Sequence, residues 1–168
     1  MTESRVPRGV FAPVATIFDA NGDLDAVRFG ENLDFYARSP LEGVVLLGSN
    51  GEFATMDLNE RLQVIEAGTA AIARRKTVLA GTGAESTQAT INLTKSAAAA
   101  GVDFALVVTP HYYKTRYDQK AYLNHYLKIA EASPIPVLVY VMAAYTGVDL
   151  PSAIVLELAK HPNIVGVK

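Results

Sequence analysis

The chain has 168 residues, of which 50% are hydrophobic and 19% charged, with 12 glycines and 8 prolines. That composition excludes a disordered, collagen-like or low-complexity chain, and the length suits one domain with a sizeable core. Fifteen basic against seventeen acidic side chains leave a net charge of −2, which offers no basic surplus for nucleic acid or an anionic membrane. There is no cysteine, so disulfides, thiol nucleophiles and cysteine-held zinc or iron–sulfur centres are excluded. A cysteine-free chain suits a reducing compartment. The opening MTESRVPRGV lacks the pattern of a secretory or transit leader. No window of 18 apolar residues occurs, so no membrane-spanning helix is expected. The expected location is the cytoplasm.

Apolar, β-branched runs alternate with helix-like stretches. The runs are Val10–Ile17, Gly43–Leu47, Thr77–Ala80, Phe104–Val108, Val137–Tyr140 and Ile164–Val167, with starts 33, 34, 27, 33 and 27 residues apart. Between them, apolar residues at three- and four-residue spacing predict helices. These helices cover Asp25–Arg38, Asn59–Arg74, Thr87–Ala100, Gln119–Ala132 and Pro151–Lys160. Asp57 three residues before Glu60 is a capping-box pattern. Ser86 and Asp118 are N-cap residue types. Pro151 suits a first helical turn, and Gly101 marks a stop.

The strand runs are almost wholly apolar, as strands buried on both faces by helices are. Repeated β-then-α units of about 30 residues give an α/β fold. Two architectures accept this order. A doubly wound open sheet fits six strands and five helices. A (β/α)8 barrel typically needs ~250 residues. Length alone favours the open sheet. In either, chemistry belongs where strands end and helices begin.

Lys168 follows the apolar run Ile164-Val165-Gly166-Val167. At the edge of a buried sheet, desolvation frees some neutral amine, which condenses with ketones to a Schiff base. The plainer alternative is a solvated lysine, the usual state of that residue. Tyr140 ends its run as an aromatic cap on the core, or as a phenol that relays a proton. Gly48-Ser49-Asn50-Gly51-Glu52 is either a tight connecting turn or a carboxylate cradle. The cradle would use backbone N–H groups and the Ser49 hydroxyl. Gly81-Thr82-Gly83 lacks the third glycine of a dinucleotide loop. His111, His125 and His161 have no ligand spacing, so no metal site is expected. The acidic residues fall mostly on helix faces and caps, where solvated roles are the default.

GSNGE after the second run, TPHYY after the fourth, Tyr140 after the fifth and Lys168 after the sixth stand in that order. This order resembles the pyruvate-dependent class I aldolases of the dihydrodipicolinate synthase and N-acetylneuraminate lyase family, from about Val10 to Lys168. Within it, GSNGEF, AGTGAESTQAT, VVTPHYY and HPNIVGVK look most like the 4-hydroxy-2-oxoglutarate aldolase branch. The resemblance reverses the architecture drawn from length. It implies a partial (β/α)8 barrel over residues 1–168, five β/α units plus the sixth strand, without strands seven and eight or the C-terminal helices. Two unpaired strand edges are then expected, at Val10–Ile17 and Ile164–Lys168, and with them instability or association.

The resemblance further implies that Lys168 forms an iminium with a 2-oxo acid and that Tyr140 moves the proton. Ser49 would join the relay and contact the carboxylate, with Asn50 and Gly51 binding it. Tyr112 matches the family tyrosine that crosses a dimer interface into the neighbouring subunit's relay. Glu52 would order its turn. No cofactor beyond the covalent Schiff base is implied, and the expected partners are a small 2-oxo acid and further copies of the chain. Tyr145 stands where dihydrodipicolinate synthases carry an arginine for the second substrate's carboxylate, and a phenol offers no bidentate cationic contact. That argues against lysine biosynthesis. The implied reaction releases or adds pyruvate, with 4-hydroxy-2-oxoglutarate to pyruvate plus glyoxylate first, and a 2-keto-3-deoxy sugar-acid aldolase or a dihydrodipicolinate synthase-like enzyme as the alternatives. The alternatives of another class are an inactive barrel fragment or pseudoenzyme acting in an assembly, and a flavodoxin-like nucleotide-binding module, for which no phosphate loop is found.

Overall fold

The computed structural model describes residues 6–168. Six strands form one sheet in strict chain order: β1 (Phe11–Pro13), β2 (Gly43–Leu46), β3 (Thr77–Gly81), β4 (Phe104–Val108), β5 (Val137–Tyr140) and β6 (Ile164–Val167). The described pairings β1–β2, β2–β3, β4–β5 and β5–β6 are all parallel. A doubly wound sheet reverses its strand order part-way. Sequential order is that of a (β/α)8 barrel, and six strands make it a partial one. The architecture drawn from length alone is therefore wrong, and the partial barrel is correct.

Helices follow the strands: α1 (Ala26–Arg38), α2 (Leu58–Ile72), α3 (Thr87–Ala99), α4 (Gln119–Ala132), a four-residue α5 (Ala143–Thr146) and α6 (Ser152–Leu158). Their starts are chemically marked. Asp57 accepts from the amides of Asn59 and Glu60, while Glu60 accepts from the amide of Asp57, which completes the capping box. Ser86 Oγ accepts from Ala89 N at 3.0 Å, and Asp118 Oδ1 from Ala121 N at 2.7 Å. Asp25 caps α1. Pro151 is the residue before α6 rather than its first turn. The chain turns out of α3 at Gly101, where φ is +100°.

Contacts divide the chain into two compact units, Pro7–Gly81 with Ser96–Phe104, and Thr82–Lys95 with Ala105–Lys168. In the first, α1 and α2 pack on β2 and β3 with Phe29, Leu33, Val64, Ile65 and Ile72 buried. In the second, Tyr126 and Ile129 of α4, Ile154 and Leu158 of α6, and Val137 and Val139 of β5 share one core. Burying such side chains contributes roughly 1.5–3 kcal/mol each.

Burial on both faces holds for β2, β4 and β5, whose residues are all buried. It does not hold for the flanks. β1 is shorter than its apolar run, and Val10 is 68% exposed. Val167 in β6 is 53% exposed. Among the described residues, no helix is long and apolar enough to cross a membrane, and no group of three His, Asp or Glu side chains is placed to hold a metal ion.

Candidate active site

The second unit brings Lys168 and Tyr140 together. Lys168 N donates to Val139 O at 2.8 Å, and Val141 N donates to Lys168 O at 2.9 Å. These two bonds make Lys168 the ladder partner of Tyr140, so both side chains leave the same face of the sheet. The ammonium nitrogen Nζ lies 4.0 Å from the centroid of the Tyr140 ring, within cation–π range.

A register shift creates that pairing. Val137 is opposite Ile164, but Leu138 is opposite Gly166. Val165 is therefore an extra residue in β6. In an unshifted register, with Val165 opposite Leu138, Val167 would face Tyr140 and the lysine would point to the other side, because side chains alternate with period two. The bulge aims the lysine.

Tyr140 is fixed from behind. Its ring is buried, at 3% exposure. Its carbonyl accepts from Thr109 N at 3.1 Å and Thr109 Oγ1 at 3.2 Å. The Tyr126 hydroxyl in turn lies 3.3 Å from both Thr109 Oγ1 and Val107 O. Burial pushes the Tyr126 phenol far up, against a smaller downward pull from its bond to Thr109. Tyr126 thus stays protonated and serves as a donor. Thr109 stood within the TPHYY motif without a role of its own, and Tyr126 looked like ordinary core.

Lys168 differs from expectation in one respect. Its side chain is exposed, so the desolvation proposed from the apolar run is not present in this structure.

In the first unit, Ser49, Asn50 and Gly51 form a single 3-10 turn after β2. Gly51 N donates to Gly48 O, and Glu52 N to Ser49 O. Thr16 Oγ1, at the end of the first strand segment, donates to Gly51 O at 2.8 Å. Two of the amides expected to be open to a ligand are thus used inside the turn. The left-handed positions are also not the glycines. Leu47 has φ 53° and Glu52 has φ 58°. Leu47 is buried and bulky, so its backbone is strained. Gly81 makes room for it, since a Cβ there would stand 2.0 Å from Leu47 O. Glu52 orders the turn through its backbone, accepting from the amide and hydroxyl of Thr55.

Tyr112 lies on the turn after β4. It is 75% exposed, and its ring packs edge-on against Tyr113 at 4.9 Å. The turn is held by Glu85, a residue that sequence reasoning passed over among solvated acids. Glu85 Oε2 accepts from His111 N at 3.0 Å and Tyr112 N at 2.9 Å. The available signal was its place at the end of β3 rather than on a helix face. Tyr145 is 76% exposed on α5. Lys114 Nζ reaches Thr146 O at 3.4 Å.

The described geometry thus offers an amine beside a fixed aromatic ring, a serine-bearing turn, and an exposed tyrosine on a clamped loop. Comparison with known proteins places the chain in a family. Residues 6–168 match the dihydrodipicolinate synthetase family. A probable mitochondrial 4-hydroxy-2-oxoglutarate aldolase of Emericella nidulans is 43% identical over 165 residues, 95% of this chain and 53% of that protein. A 4-hydroxy-tetrahydrodipicolinate synthase of Pseudomonas aeruginosa is 38% identical over 160 residues, 95% of this chain and 54% of that protein. The crystal structure of YagE, a prophage protein of the dihydrodipicolinic acid synthase family from E. coli K12 in complex with pyruvate, superposes with a TM-score of 0.91 at 34% identity. That match covers 95% of this chain and 53% of YagE. The chain spans about half the length of the relatives it matches. Family match, strand order and the ordered motifs agree that the chain belongs to the dihydrodipicolinate synthetase family.

Proposed function

We propose that this chain carries the Schiff-base part of a class I aldolase, a carbon–carbon lyase acting on a 2-oxo acid. The observation that carries the reading is the ladder pairing that sets Lys168 Nζ 4.0 Å from the Tyr140 ring. The neutral amine of Lys168 attacks the 2-oxo carbon, and water leaves as the iminium forms. For 4-hydroxy-2-oxoglutarate, the 4-hydroxyl gives up its proton and the C3–C4 bond breaks. Its electron pair moves into the iminium, leaving an enamine and releasing glyoxylate. Protonation at C3 and hydrolysis then return pyruvate and the free lysine. Tyr140 moves protons at the iminium, with Ser49 in the relay. Ser49, Asn50 and Gly51 hold the substrate carboxylate, and Tyr112 completes the relay of a second copy. No cofactor takes part.

The similarity to the Emericella protein supports 4-hydroxy-2-oxoglutarate over a dihydrodipicolinate synthase substrate. Tyr145, exposed and uncharged in the α5 segment, supports the same choice. A 2-keto-3-deoxy sugar acid is the next substrate, because its pyruvate half is identical. A cytoplasmic location rests on the cysteine-free composition. The second reading is an inactive barrel segment or pseudoenzyme that acts in an assembly.

The test is borohydride trapping with pyruvate, read by intact mass and peptide mapping, with Lys168→Met as control. An adduct confined to Lys168 is expected. Folded protein without an adduct refutes the aldolase reading and leaves the inactive segment.

A further inference from the structure

We propose that Glu85 is a positioning residue for Tyr112, acting through the backbone of the turn after β4. This rests on the relay role given to Tyr112 above. One carboxylate oxygen, Glu85 Oε2, accepts from two successive amides, His111 N at 3.0 Å and Tyr112 N at 2.9 Å. The other, Oε1, lies 3.3 Å from His111 N and 3.0 Å from His111 Nδ1. Amide bonds to a carboxylate are charge-assisted and stronger than those to a neutral acceptor.

The clamp has a firm base. Thr90 Oγ1 accepts from Ala84 N and lies within bonding distance of Ala84 O and Ser86 O, which fixes the backbone on both sides of Glu85. Ser86 caps α3 directly after it. On the far side, Lys114 N donates to His111 O, and Arg116 N to Tyr113 O, so the turn is closed on itself. The Tyr112 ring, 75% exposed and touching Tyr113 of the same turn, takes its position from this backbone. A group that works on a neighbouring copy needs such pre-organisation, because its own subunit does not pack it. Glu85 is itself 43% exposed at the side chain. Its loss lets water replace it at the amides, which disorders the turn and spares the core.

The test is a double-mutant cycle in the full-length protein with Glu85→Gln and Tyr112→Phe, using 4-hydroxy-2-oxoglutarate. Glu85→Gln is expected to lower kcat about 10- to 100-fold, the effect of a misplacement of roughly 1 Å, with KM and pyruvate trapping at Lys168 unchanged. On the Tyr112→Phe background it is expected to have no further effect. Additive losses overturn the proposal, since Glu85 then acts independently of Tyr112. A normal kcat for Glu85→Gln beside an impaired Tyr112→Phe overturns it as well. A normal Tyr112→Phe removes both this proposal and the relay role, and that single variant tells the two failures apart. Amide hydrogen exchange at residues 111 and 112 is a readout independent of turnover. It is expected to quicken in Glu85→Gln, and unchanged exchange refutes the clamp. Glu85→Asp, one methylene too short to span both amides, takes the place of Glu85→Gln if the latter does not fold.

Discussion

His125 makes the protein acid-sensitive by an amount the structure fixes. The residue lies on α4 and is 6% exposed. Its Nδ1 is 2.9 Å from Thr87 Oγ1, and its Nε2 is buried with no partner. Burial lowers its pKa to about 4, against a weaker upward pull from the Glu85 carboxylate. The unfolded chain holds the same ring at the ordinary 6.5. As pH falls, the unfolded state therefore takes up the proton first. The stabilisation is complete above pH 6.5 and is lost progressively down to about pH 4. A gap of about 2.5 pH units at ~1.36 kcal/mol each gives about 3 kcal/mol in full, and about 2 kcal/mol of it is gone by pH 5. The assay is urea unfolding of wild type and His125→Leu at pH 7.5 and pH 5. At pH 7.5 the variant is expected to be weaker by about 1 kcal/mol, from the lost Thr87 bond and the altered packing. At pH 5 that order reverses, with the variant stronger by about 1 kcal/mol. A stability difference that stays constant between the two pH values would refute the argument, because a buried neutral imidazole must show linkage.

Two substitutions test the scaffold around the site. Gly81→Ala pushes a Cβ to 2.0 Å from the backbone carbonyl of Leu47. It is expected to cost about 3 kcal/mol or more, the upper end for overpacking, read as a lowered thermal midpoint. Asp57→Ala removes the carboxylate of the α2 capping box. It is expected to cost about 1 kcal/mol by urea titration, with the pyruvate adduct at Lys168 unaffected.

Features set by local chemistry were legible in the sequence. The interior strands β4 and β5 match their apolar runs residue for residue, and α4 covers Gln119–Ala132 as its spacing predicts. The caps at Asp57, Ser86 and Asp118 are all in place. What was not legible depends on neighbours distant in sequence. The extra residue at Val165 exists only relative to β5, and one strand alone carries no register. The left-handed turn residues are Leu47 and Glu52, which no local sequence pattern marks. Leu47 holds that conformation because Gly81 leaves space for its carbonyl. The solvated default for acidic side chains hid Glu85, whose partners are amides 26 and 27 residues further on. Of the site residues, Lys168 and Tyr140 were placed by motif order, whereas the exposure of Lys168 was not legible there.

The single unpaired residue at Val165 makes the lysine's aim a matter of counting. The alternation of a strand is a parity, and the extra residue Val165 shifts it between Val137 and Leu138. The residue earns its place by occupying a position, whatever side chain it carries. Lys168 and the extra residue are three places apart and chemically unrelated. A sequence comparison that weighs residue types would score Val165 as one more interchangeable aliphatic. In this fold it is the extra residue of a register shift, and the face that Lys168 takes depends on that shift as well as on its place in the sequence.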